Sequence, residues 1–257
     1  MGDERNIYSS EENRNEGTAL YEVEDVEIEA GQLPEELGFF ERVIGVVVSP
    51  GQVFADLERR PRILFPLLLA AFGQLVFLML RFPLYKELLL ESTRMNTAKS
   101  GMSLTAEQLQ ANTDIAVKIG LFAMPIAGVV GLALATLVYL VIFKVLKGEG
   151  TYKQFFSVLG YAGVIGFAYS LLTAGLSFFT QELYLQLPVD SLAFYLDPSL
   201  EGTFLYGMAR GIRFFSIWSA MVTAIGVVQI TKLDSKKVYI TIGILFVLGL
   251  LIAGGAE

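Results

Sequence analysis

The side chains that most often carry out chemistry in proteins are missing from this 257-residue chain or scattered along it. The chain contains no cysteine and no histidine, which excludes thiol nucleophiles, histidine acid–base catalysis and the usual ligands of zinc and haem. It also lacks a Walker motif, a GxGxxG or GxSxG motif and a carboxylate pair at catalytic spacing. We therefore expect no catalytic residues, no cofactor and no metal, and the basic residues show no nucleic-acid-binding pattern.

Three arginines form the most suggestive charged group. Arg59, Arg60 and Arg62 surround a proline directly before a long apolar stretch, and cations at a membrane surface attract anionic lipid phosphates. Phe54 and Leu57 share one face of the short helix expected before them. We predict that these five residues contact lipid or a partner protein. The alternative is that the arginines only set the direction of insertion and have no later role.

The apolar stretches contain only neutral polar groups, such as tyrosine, serine, threonine and glutamine. Transporters coupled to ions and intramembrane enzymes usually keep an ionisable residue in the bundle, so this composition disfavours proton coupling and hydrolysis. Tyr161 and Tyr169 lie eight residues apart, near one helical face. They are interpreted either as hydrogen-bonding partners between helices or as part of a substrate site.

The elements that hold these residues are predicted to be membrane helices. Hydrophobic residues make up 54% of the chain and charged residues 18%, against about 25% charged in soluble domains, and the mean hydropathy is +0.56. We expect an all-α integral membrane protein with five transmembrane helices preceded by short interfacial amphipathic helices. The last two spans could instead form a hairpin that enters from one side. The predicted spans are Ile63–Leu80, Ile119–Phe143, Phe155–Phe179, Phe214–Ile230 and Val238–Gly255, each free of charged residues.

Lysine and arginine predict the orientation of these spans. The three arginines before the first span and the lysines after the second and fourth spans alternate correctly for one face of a membrane. Short basic loops face the cytoplasm. We therefore expect a multi-pass protein of the cell membrane with a cytoplasmic N-terminus and an extracytoplasmic C-terminus.

Three regions are expected along the chain: a tail over residues 1–37, interfacial helices over 38–62, and a membrane domain over 63–255. Residues 1–38 carry twelve acidic and two basic side chains, so the tail is predicted to be disordered. A Ser49–Gln52 pair predicts a capping box at the start of the second interfacial helix. Similar pairs at Thr105–Gln108 and Thr151–Gln154 predict two further helix starts.

Small residues recur at four-residue spacing in three spans, which favours close helix packing in lipid. We predict that these three spans form a central bundle and that the first and fifth spans are peripheral. A homodimer face is the alternative use of the small residues. The residues are Ala123, Ala127, Gly131 and Ala135 in the second span, Ala162, Gly166, Ser170 and Ala174 in the third, and Ser216, Ala220 and Ala224 in the fourth.

The chain resembles the Yip1 domain family of five-span membrane proteins over about residues 39–254. The resemblance depends on three features: the pre-membrane pattern with Ser49-Pro50, Phe54, Leu57 and Pro61; the glycine-rich turn 148–151 before two phenylalanines; and the pair Gly160-Tyr161. The Asp-Leu-Tyr-Gly-Pro signature of the eukaryotic relatives is absent. The resemblance is therefore to the prokaryotic branch, and it implies an accessory membrane protein, in some cases associated with export machinery.

Two functions remain open from the sequence. The first is a non-enzymatic membrane adaptor that organises a partner protein or lipid at the cytoplasmic face. The second is a small-solute or lipid transporter or channel, in which the three small-residue helices line a path. Membrane lipids, a membrane-protein partner and a second copy of the chain are the expected partners, and nucleic acid is not.

Overall fold

The computed structural model describes residues 36–255. The predicted acidic tail lies outside these residues except for Glu36 and Leu37. The described chain is built from α-helices joined by short loops and two 3₁₀ turns, Leu192–Tyr195 and Pro198–Leu200. The helices are α1 (Phe39–Val48), α2 (Pro50–Arg59), α3 (Leu64–Leu80), α4 (Phe82–Lys99), α5 (Ala106–Val145), α6 (Tyr152–Thr180), α7 (Phe204–Gly211), α8 (Phe214–Thr231) and α9 (Ser235–Gly254).

Four helices, α5, α6, α8 and α9, are long and apolar enough to cross a membrane. Helix α3 has 17 residues and is followed by α4 after a bend of 93°, and the bent pair raises the number of spans to five if it counts as one. The prediction of an all-α membrane protein is confirmed. Helix α3, which corresponds to the first predicted span, has fewer residues than α8 and α9, which have 18 and 20.

Two of the three predicted capping boxes are present. Thr105 and Thr151 each accept a hydrogen bond from the main-chain N–H of the glutamine three residues later, and that glutamine side chain accepts one in return. Ser49 is the N-cap of α2 and Pro50 follows it, but the Ser49 hydroxyl makes no capping hydrogen bond. This prediction was wrong because the main-chain carbonyl of Ser49 accepts the bond from Gln52 instead, at 3.2 Å.

Helix α6 is the centre of the bundle. In its most apolar stretch 56% of the residues are buried, against 11% for α5 and 22% for α9. Helix α3 packs on both α5 and α6, and α6 also packs on α8. The expected peripheral position of the first span was therefore wrong, since α3 lies between two other spans and α5 takes the outer position.

The packing face of α5 is not the predicted stripe of small residues. Ala127 and Gly131 are exposed and Ala135 is half-buried, and no atom lies within 4 Å of the position of a Gly131 Cβ. Each step of four residues advances about 40° beyond a full helical turn, so the four stripe residues spread over about 120° of the surface. Gly128 makes the close contact instead, against the Ala70 carbonyl of α3.

The stripes on α6 and α8 are divided between packing and open space. Ala162 and Ala224 are both 1% exposed, and the Ser219 hydroxyl donates to the Ala162 carbonyl at 3.4 Å. Gly166 and Ser170 instead line cavities, as does Ala220. The two helices therefore meet along only part of each predicted stripe.

Candidate functional site

The two short helices before the first span are part of the bundle. Phe54 and Leu57 of α2 are 0% exposed and join the main hydrophobic core with residues of α6 and α8. The prediction that these two side chains contact lipid or a partner is wrong, because no solvent or lipid reaches them. Their role is to fix α2 to the end of the bundle, and the exposed apolar side chains of α1, Phe40, Ile44 and Val48, point outwards instead.

The segment that connects α2 to the first span is joined to the third span by a reciprocal pair of hydrogen bonds. The Ser157 hydroxyl accepts from the Arg62 main-chain N–H at 2.9 Å and donates to the Arg62 carbonyl at 2.7 Å. Gln154 adds a bond from its side-chain amide to the Glu58 carbonyl at 2.7 Å. The turn between the two helices thus has a defined geometry.

Next to this turn, Arg42 of α1 is buried, with 5% of its surface exposed. Its guanidinium donates to the Asp56 carboxylate at 2.7 Å and to Glu36 at 2.8 Å. A buried charge requires such paired hydrogen bonds, because an unpaired one would be costly. Glu36 also pairs with Arg62, and with Arg60 at 3.6 Å. Two of the three predicted lipid-binding arginines therefore share a carboxylate partner.

The Gly160–Tyr161 pair of α6 packs against the first turn of α3, which follows this turn. Tyr161 is 1% exposed, and its ring packs on Phe65 with a centroid distance of 5.1 Å. A Cβ atom on Gly160 would collide with the Pro66 side chain. The pair therefore lets the first and third spans approach closely at the point where the first span begins.

The structure brings three basic segments together at this end of the bundle: the end of α2, the loop after α5 and the loop after α8. Lys232 pairs with Glu58 of α2. The main-chain N–H of Glu149 donates to the Thr231 carbonyl at 2.9 Å, and Lys237 donates to the Leu146 carbonyl at 3.1 Å. Gly150 allows this approach, since its φ of +93° favours glycine. We call this region the basic end of the bundle.

Several cations of the basic end are exposed and are not neutralised by a described carboxylate. Each is exposed and has no acidic partner within residues 36–255, in contrast to Arg42, Arg60, Arg62 and Lys232. We call this group the basic face. It consists of Arg59, Lys144, Lys147, Lys153, Lys236 and Lys237.

At the opposite end of the bundle the structure assembles an ion pair that the sequence analysis missed. Arg213 donates through Nε to Asp190 at 3.0 Å, and its guanidinium lies 4.5 Å from the centre of the Tyr169 ring. Asp190 also accepts from the main-chain N–H of Phe215 at 3.2 Å, near the start of α8. Asp190 and Arg213 belong to a loop in the sequence, and no local pattern indicates that the loop packs against a span.

The described part of the chain offers no arrangement typical of catalysis. No cluster of three or more acidic residues suited to a metal ion occurs within residues 36–255. The polar groups at the basic end are used in ion pairs and main-chain hydrogen bonds, or they are exposed cations. Charge recognition is the chemistry that this arrangement supports.

Fold and site together define a multi-span, all-helical membrane protein with cations gathered at one end. A model of the Yip1 domain matches residues 44–256, and the chain belongs to the Yip1 domain family, as the sequence motifs predicted. It is 29% identical over 222 residues to "Membrane protein YknW" of Bacillus subtilis (strain 168), a match that covers 86% of this chain and 90% of YknW. No solved structure matches the chain.

Proposed function

We propose that this protein is a membrane adaptor that holds a partner protein or anionic lipid at the cytoplasmic face of the cell membrane. The observation that carries the proposal is the convergence of three separate basic segments on one end of the bundle. Ion pairs and the Ser157–Arg62 hydrogen bonds fix the frame of this end, while the cations of the basic face remain exposed. Fixed surface charge favours complementary partners and speeds their association.

The position of each cation suggests what it binds. Arg59 is exposed in the last turn of α2, which packs against α1 with its exposed apolar side chains, so we expect it to meet lipid headgroups. Lys144, Lys153 and Lys236 are exposed at the end of α5 and at the starts of α6 and α9, where an acidic surface of another membrane protein can reach them. Export machinery is one such partner, as the family resemblance implies.

The proposal includes an orientation, with the basic end in the cytoplasm and the C-terminus outside. The absence of native cysteine allows a direct test by single substitutions, Glu149→Cys at the basic end and Ser199→Cys at the opposite end. A maleimide that cannot cross membranes should label only Ser199→Cys in intact cells and both variants after lysis. Labelling of only Glu149→Cys in intact cells would reverse the orientation and remove the cytoplasmic role.

Affinity purification in mild detergent tests the adaptor role. We expect the wild-type chain to recover a partner protein in stoichiometric amount, and a variant with Lys144, Lys153 and Lys236 changed to Gln to lose it. A control with Arg94, Lys99 and Lys118 changed to Gln removes the same number of cations from the other end and should retain the partner. Repeated recovery of the wild-type chain alone would overturn the proposal that it holds a partner protein.

A further inference from the structure

Two cavities adjoin each other on the side of the bundle away from the basic end. The first, of about 460 Å³, has many polar groups in its wall, among them Gln74, Ser170, Thr223 and Arg213. The second, of about 470 Å³, lies between α5, α8 and α9 and is lined mainly by apolar side chains such as Val138, Leu245 and Leu250. Both volumes are in the range of small-molecule sites.

The two cavities share part of their wall. Four residues line both of them: Tyr139 of α5, Ser216 and Ala220 of α8, and Phe246 of α9. The wall thus changes from polar to apolar along one cleft. A cleft of this kind matches a molecule with a polar head and an apolar chain better than it matches a molecule that is wholly one or the other.

The polar part contains the guanidinium of Arg213, which has hydrogen-bond donors without an acceptor among the described residues. The terminal nitrogens of the Arg213 guanidinium have no partner within residues 36–255, because only Nε bonds to Asp190, and 27% of the side chain is exposed. The Tyr169 hydroxyl is buried and makes no hydrogen bond of normal geometry within residues 36–255, although the Asp190 carboxylate lies near it. A guanidinium edge with free N–H groups recognises phosphate well.

We propose that this cleft binds one anionic membrane lipid, with its phosphate headgroup at Arg213 and an acyl chain in the apolar cavity beside α9. The headgroup would satisfy the free donors of Arg213, and the chain would cover apolar side chains that the protein leaves uncovered. The inference is independent of the proposed adaptor function, because it uses the opposite end of the bundle and none of the basic face.

Thermal unfolding of the purified, delipidated full-length protein in mild detergent tests this site. The probes are phosphatidylglycerol, phosphatidylcholine and inorganic phosphate. We expect phosphatidylglycerol to raise the unfolding temperature at concentrations at which phosphatidylcholine has a smaller effect and inorganic phosphate has none. Arg213→Gln should weaken the apparent affinity for phosphatidylglycerol at least tenfold.

A second variant keeps the test valid if loss of the Asp190–Arg213 pair prevents folding. Ala220→Leu fills the junction between the two cavities without changing any charge, and it should abolish stabilisation by phosphatidylglycerol. Ala168→Leu, at an exposed position of α6 that lines neither cavity, is the matched control and should behave like wild type.

Three results would overturn the lipid site. If inorganic phosphate stabilised the protein as much as phosphatidylglycerol does, the site would bind an anion and not a lipid. If phosphatidylglycerol and phosphatidylcholine stabilised the wild-type protein equally, and Arg213→Gln changed neither effect, the headgroup would not be recognised. Unchanged lipid stabilisation in Ala220→Leu would place the binding elsewhere on the protein.

Discussion

The Ser157 hydroxyl of α6 is hydrogen-bonded to both main-chain polar groups of Arg62, at 2.9 Å to the N–H and 2.7 Å to the carbonyl. Arg62 lies in the short turn between α2 and α3, where no helix satisfies its main chain. One side chain of the third span therefore holds the entry to the first span and, through it, the geometry of the basic end.

Replacing Ser157 by Ala should reduce the free energy of unfolding by about 1–3 kcal/mol, because two part-buried main-chain groups of Arg62 lose their partner. Unfolding by SDS in mixed micelles measures this. Ser177→Ala is the control on the same helix, since the Ser177 hydroxyl is also buried but bonds only to its own helix, at Ala174. An equal loss in the two variants would mean that the connection to Arg62 contributes nothing specific.

Phe54→Ala should destabilise the protein by about 3–5 kcal/mol, the cost of removing a fully buried aromatic ring. Phe40→Ala is the matched control on α1, where 74% of the side chain is exposed, and it should change stability by less than about 1 kcal/mol. The same unfolding assay compares them. If Phe54→Ala unfolds like wild type, α2 is not packed on the bundle as described.

Gly160→Ala should destabilise the protein by about 1–3 kcal/mol, because the added methyl group overlaps Pro66 and forces α3 and α6 apart. Gly131→Ala should be neutral or stabilising by up to about 1 kcal/mol, since its Cβ meets no atom and alanine is the better helix former. The thermal unfolding temperature should therefore fall for Gly160→Ala, and it should stay the same or rise for Gly131→Ala. If Gly131→Ala lost as much stability as Gly160→Ala, the small residues of α5 would form a packing face after all, as predicted from the sequence.

The pairing of α4 with α5 should depend on pH. Lys86 bonds to Asp114 at 2.8 Å, and this hydrogen bond lowers the pKa of the Asp114 carboxyl. The ion pair therefore stabilises the contact between α4 and α5 fully when the pH is above the pKa of an aspartate in an unfolded chain, about 4. This stabilisation is lost as the pH falls through the lowered pKa of Asp114 in the folded protein. Spin labels at Glu91→Cys and Ala111→Cys should report a wider distance distribution at low pH.

Asp114→Asn in the same labelled background is the control for this titration. Its distance distribution should already be wide at neutral pH and should not change as the pH falls. If the original pair of labels gives the same distribution from pH 7 to pH 3, the Lys86–Asp114 bond does not hold the two helices together.

The sequence predicted the elements of the fold better than their arrangement. Uncharged apolar stretches mark spans because lipid excludes charge, so the helical class could be read directly from the chain. The packing face of α5 could not be predicted from the sequence, because Gly128 and Gly131 differ only in which atoms of α3 lie opposite them. Gly160, in contrast, was marked by a family motif.

The candidate sites could also be predicted only in part from the sequence. The basic segments were visible because lysines and arginines cluster in the sequence, but their convergence depends on contacts such as Lys232–Glu58 that join distant parts of the chain. Phe54 and Leu57 were misplaced because an amphipathic helix looks the same whether its apolar face meets lipid or a bundle. No sequence pattern indicated Asp190 and Arg213, because they lie in a loop and only the folded structure shows that this loop packs against a span.

The most direct test of the adaptor proposal is photo-cross-linking in living cells from a photoreactive amino acid placed at Lys147 or Lys236. Ser199, in the loop at the opposite end of the bundle, is the control position. The proposal predicts a discrete cross-linked protein from Lys147 and Lys236 and none from Ser199. It would be contradicted if neither basic position gave a cross-linked partner, or if all three positions gave the same products.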